Sequence, residues 1–135
     1  NDRWAEATEV THNSLRDRYD KGDPEVHAAM REFASYAHEA QRLIKEGRGT
    51  AIGPLMDANY ALRARVCGVS SGNRELVETG VKQGAHVKFA GSGGAVVGVY
   101  DGAPERARRL KAAYAETGAT FFLPRIDATA HLYTS

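Results

Sequence analysis

Residues 88–94, Lys88-Phe89-Ala90-Gly91-Ser92-Gly93-Gly94, set a lysine, three glycines and a serine close together. That combination suits an anion, because peptide N–H groups without flanking β-carbons can be approached closely and carry fixed partial positive charge. The Ser92 hydroxyl adds a further donor or acceptor. Phosphate is the chemistry such a loop would serve. The same glycines also suit a tight turn or bulge between strands, and on this segment alone both readings stay open. The loop is neither a Walker loop nor a dinucleotide fingerprint: no Gly-Lys-Ser/Thr follows, and the chain runs on into Ala95-Val96-Val97-Gly98-Val99-Tyr100 rather than opening a helix.

Composition narrows the classes. The chain has 135 residues, 42% of them hydrophobic and 26% charged, which is one domain's worth with enough apolar residue for a core. No apolar run is long enough to span a membrane and no signal-peptide pattern opens the chain, so it is read as cytoplasmic. Eighteen Lys and Arg stand against seventeen Asp and Glu, a net charge of +1 with both signs interspersed, which argues against a nucleic-acid partner. Cys67 is the single cysteine, and His12, His27, His38, His86 and His131 are scattered, so no metal site is read.

The elements that must position the loop follow from punctuation and periodicity. Residues 1–13 read as a linker or stranded edge, with a helical turn or two from Ser14. At Gly22-Asp23-Pro24-Glu25 a helix starts, since Asp23 can cap, Pro24 fits the first turn and Glu25 favours the positive helix end. Val26, Met30, Phe33, Ala37, Ala40 and Ile44 form its apolar stripe, and Gly47 and Gly49 end it. A second helix is expected from Thr50 to Cys67 and a third from Asn73 to Gln83, stopped by Gly84. Strands are expected at Val87–Ala90 and Ala95–Tyr100, then a helix from Pro104 to Gly118 burying Ala107, Leu110, Ala113 and Tyr114. Ala119–Leu123 reads as a third strand and Ala130–Tyr133 as a short fourth. The order is α+β, with helices packed on one face of a small antiparallel sheet.

Gly84-Ala85-His86-Val87-Lys88-Phe89-Ala90-Gly91-Ser92-Gly93-Gly94-Ala95-Val96 resembles the C-terminal motif of the GHMP kinases, which runs glycine-alanine, lysine, glycine-rich loop, hydrophobic strand. Ser92 stands where alanine is common, and Ala95 where another glycine often sits. Leu55-Met56-Asp57-Ala58-Asn59-Tyr60-Ala61-Leu62-Arg63 resembles the sugar-1-kinase branch, nearest to glucuronokinase. The resemblance runs from about residue 12 to 126. It implies a ferredoxin-like two-layer sandwich over 14–135, the C-terminal lobe of an ATP- and Mg2+-dependent kinase for a sugar or sugar acid.

The serine-rich phosphate loop and the catalytic aspartate and lysine of that family's N-terminal lobe have no counterpart in this sequence. The resemblance therefore assigns no catalytic residue here, leaves ATP and Mg2+ to the N-terminal lobe, and makes that lobe a partner. Residues 1–13 would be the connection to it. It implies that Gly91, Ser92, Gly93 and Gly94 face the phosphates or brace the loop that holds them, with Lys88 beside them. Arg63 would clamp a carboxylate or phosphate, and Asp57 and Asn59 would meet sugar hydroxyls. Each has a plainer reading: surface or structural ion pairs for Arg63 and Lys88, a loop cap for Asn59, a core or interface position for His86. Asp17, with Arg16 and Arg18, reads as a solvated charge run. An isolated lobe would expose an apolar face around Phe89 and Ala95 and could form a homodimer. The rival reading is a stand-alone ferredoxin-like module that binds a ligand or mediates dimerisation without catalysis.

Overall fold

The computed structural model describes residues 8–91 and 93–124, with side chains from residue 14 onward. Helix α1 spans Thr8–Asp20, so its backbone is helical six residues before the start expected at Ser14. Its apolar periodicity is weak, which hid it. What holds it is tertiary: Leu15 packs against the α2 and α3 residues Val26, Ala29, Leu62 and Val66.

Helix α2 spans Pro24–Lys45 and starts as its sequence dictates. The Asp23 carboxylate accepts from the Glu25 N–H at 2.9 Å and the Val26 N–H at 3.3 Å. It also accepts from Arg18 Nε at 2.8 Å, while Arg18 Nη1 donates to the Val66 carbonyl at 2.8 Å. Arg18 is thus a link between three helices rather than part of a solvated run. At the far end of α2 the expected stripe fails: Ala37 and Ile44 are exposed and Leu43 is buried. The Gly49–Ile52 turn comes back against that end of the helix, and Arg48 N–H donates to the Leu43 carbonyl at 2.8 Å. Adjacent residues point about 100° apart on a helix, so shielding one exposes the other.

The second expected helix begins as that short 3-10 turn and continues as α3, Gly53–Cys67. Helix α4 spans Ser71–Lys82. Strands β1, His86–Phe89, and β2, Val96–Val99, pair antiparallel, with His86 opposite Val99 and Phe89 opposite Val96. Helix α5 spans Pro104–Glu116. Side chains alternate across a strand, so Val87 and Phe89 share one face of β1. There they join Leu76 and Val77 of α4 and Leu110 and Tyr114 of α5 in the larger core cluster. The Tyr114 hydroxyl donates to the Leu76 carbonyl at 3.1 Å. Gly80 makes room for this packing: a β-carbon on it would lie 2.5 Å from both Tyr114 Oη and Val87 Cγ2. Helix α3 runs beside β1, reaching Phe89 through Tyr60 and His86 through Asp57.

Among the described residues the architecture is α+β, five α-helices with one two-stranded sheet. The strand expected at Ala119–Leu123 is absent, because no described segment supplies its hydrogen-bonding partner. That segment and β2 instead line an apolar groove of about 830 Å³, floored by Leu76, Leu110 and Tyr114. The strand expected at Ala130–Tyr133 lies outside the described residues. The apolar face expected around Phe89 and Ala95 is found in part: Ala95 is exposed but Phe89 is buried, and Val97, Phe122 and Leu123 are the exposed large apolar residues nearby. Among the described residues no helix is long and apolar enough to cross a membrane.

Candidate functional site

The loop between β1 and β2 is closed at its base, where the Ala90 N–H donates to the Ala95 carbonyl at 3.1 Å. Gly91, Gly93 and Gly94 have φ of +105°, +139° and +72°, backbone that side-chain-bearing residues rarely adopt. Ser92 lies outside the described residues. The loop is held from α4: Asn73 Oδ1 accepts from the Gly94 N–H at 2.8 Å, and Asn73 Nδ2 donates to Ser70 Oγ at 3.1 Å. A β-carbon on Gly93 would lie 2.5 Å from Asn73 Nδ2, so the amide occupies the space that glycine leaves.

Two cations flank the loop. Arg63 of α3 donates from Nη1 to the Gly91 carbonyl at 2.9 Å, and its guanidinium lies over the Phe89 ring, 4.9 Å from the centroid. Lys88 Nζ donates to the Phe89 carbonyl at 3.0 Å. Burial, and then repulsion from Arg63, lowers the Lys88 ammonium pKa from its ordinary value. Arg18, Arg42, Arg106 and Arg108 all pair with carboxylates. Among the described residues neither Arg63 nor Lys88 has a carboxylate within 4.0 Å, so the ion pairs considered for them are not formed there. The first turn of α4, which holds the loop through Asn73, adds the positive end of a helix.

The other expected residues divide. Asn59 is half-buried on α3, four residues before Arg63 and so on the same helix face. Asp57 is turned away to β1, where its Oδ2 accepts from His86 Nδ1 at 2.6 Å. The His86 ring lies against Gly53, whose missing β-carbon would come within 2.2 Å of Cδ2. The pair is half-exposed and lines a separate hollow of about 470 Å³ with Tyr60 and Glu78. His86 is therefore no core histidine. It ties β1 to α3.

Asn73, expected only as the first residue of the third helix, turns out to hold the loop. Its side chain is 1% exposed and opens the buried face of α4 that continues through Leu76, Val77 and Gly80. A polar amide at the head of an apolar stripe must find partners inside the fold, and that was the signal available.

Over 112 residues, 81% of this chain, the sequence is 31% identical to Glucuronokinase 1 of Arabidopsis thaliana. Over 103 residues, 74% of the chain, it is 33% identical to Probable glucuronokinase 2 of the same organism. Those alignments cover 31% and 28% of the two proteins, so the chain spans about a third of the length of these curated relatives. No family model matches the chain, and no solved structure matches it significantly.

Proposed function

We propose that this chain is the C-terminal lobe of a GHMP-family kinase that phosphorylates a sugar or sugar acid at the anomeric hydroxyl, as a glucuronokinase would. The observation that carries the reading is the convergence of Arg63 and Lys88, both without carboxylate partners among the described residues, on a loop of positive-φ glycines. Similarity to glucuronokinases supports it. Phosphoryl transfer asks a protein mainly for positioning and charge neutralisation. Arg63 uses one of its five N–H donors on Gly91, and the rest can form a fork with a carboxylate or phosphate. Lys88 contributes a point charge whose hydration burial has already reduced.

These groups suit a polyphosphate or an acidic sugar, since they are cationic donors clear of competing carboxylates. The transferred phosphoryl group would come from ATP, with Mg2+ and the catalytic base supplied by the N-terminal lobe, against which the loop would close the cleft. The ferredoxin-like sandwich would be completed by further strands beside β2, and the isolated chain would be inactive.

The test is ADP release by the full-length protein with ATP and Mg2+ across glucuronate, galactose, arabinose, mannose derivatives and mevalonate. Turnover on a sugar or sugar acid is expected, and Lys88→Met should lower kcat/KM about 10²-fold. Absence of turnover on every sugar would overturn the kinase reading.

A further inference from the structure

We infer that Asn73 is a positioning residue that sets the shape of the glycine loop and thereby the geometry of its anion site, an inference that rests on the kinase reading. A loop in which three of four residues are glycine has little conformational preference of its own. Something outside it must select one shape. Asn73 is placed to do so, because α4 is fixed in the core by Leu76 and Val77 and is a rigid element on which to mount a template. Both ends of the Asn73 amide are engaged, the oxygen by Gly94 and the nitrogen by Ser70. The fit is also steric, since the space that Gly93 leaves empty is filled by that amide.

Arg63 holds the opposite side of the loop through the Gly91 carbonyl. The two attachments differ in kind. Arg63 is itself one of the cations offered to the anion, whereas Asn73 is an uncharged amide, buried at 1% exposure, that holds loop backbone. Its loss should change where the loop amides point without removing charge from the site.

Two substitutions in the full-length protein separate these roles. Asn73→Ala removes the hydrogen bonds to Gly94 and Ser70, and deuterium exchange of the peptide covering residues 90–97 should speed up about tenfold while peptides from the second half of α4 keep their rate. In the same variant kcat/KM should fall about 10²-fold, mostly through kcat, as expected when a reacting group is misplaced. Asn73→Asp keeps an acceptor for Gly94, and the Ser70 hydroxyl can turn to donate to the new carboxylate. That variant should fold and retain slow loop exchange, but raise KM for an anionic substrate with little change in kcat.

Unchanged loop exchange in a folded Asn73→Ala protein would overturn the inference. So would faster exchange with unaltered kcat/KM. If Asn73→Ala fails to fold, fast loop exchange in a folded Asn73→Asp protein would overturn it equally. Absence of turnover in the wild-type protein would instead overturn the kinase reading, and the exchange measurements alone would then decide whether Asn73 shapes the loop.

Discussion

At Gly93 two independent constraints meet, a φ of +139° and a neighbouring amide where a β-carbon would sit. Gly93→Val should therefore abolish turnover of the full-length protein while leaving its helical circular dichroism near wild type, because the loop lies outside both core clusters. A Gly93→Val enzyme with normal kcat/KM would show that the loop is a mere turn. Arg63 makes a graded case. Arg63→Lys keeps the charge but loses the forked donor set, so KM for an acidic sugar should rise more than KM for a neutral one. Equal changes for both would remove Arg63 from the substrate's carboxylate.

Elements are where local sequence and tertiary packing part company. The start of α2 was legible because Asp23, Pro24 and Glu25 act within one turn, and the ends of α4 and α5 because Gly84 and Gly118 follow them. The length of α1, the exposure of Ile44 and the missing third strand were not, since each depends on what another segment does. Asp23 shows how capping and pairing combine. Its carboxyl is held below the ordinary 3.8 chiefly by the Arg18 hydrogen bond and then by the Val26 and Glu25 amides. A group with a depressed folded pKa stabilises above its unfolded value and loses that contribution as pH falls. Asp23→Asn should thus melt below wild type at about pH 5, with the gap closing towards about pH 2, and a pH-independent gap would contradict the pairing.

Tyr114 gives the opposite slope. Burial pushes its hydroxyl up to about 12 from an ordinary 10.0. Its contribution is complete below the unfolded value and is lost as pH rises towards the folded one. Denaturant titrations should show wild type losing about 2 kcal/mol of stability relative to Tyr114→Phe between about pH 9 and about pH 12. A constant difference would mean that the hydroxyl is not buried.

At the scale of the whole molecule, two core clusters are joined by α3, whose Leu62 and Val66 serve one while Tyr60 packs on the other. The glycine loop was legible from residue types alone as a backbone feature between two strands, and Arg63 was singled out by a motif. Their relation to Asn73 was not, because it joins α4 to a loop 21 residues away. The two-stranded sheet leaves one edge of β2 unpaired among the described residues, beside exposed Val97, Phe122 and Leu123. An open edge with apolar neighbours is prone to association. Light scattering of the 135-residue chain alone should show mass rising with concentration, and Val97→Lys should suppress that rise. A chain that stays monomeric at millimolar concentration would contradict this.

The cavity that Gly80 leaves for Tyr114 and Val87 also governs how this sequence can drift. Alanine inside a helix ordinarily strengthens it by about 1 kcal/mol over glycine. Here the added methyl would strike a hydroxyl on α5 and a methyl on β1 at once. A side chain at position 80 therefore becomes tolerable only once Val87 and Tyr114 have both given way.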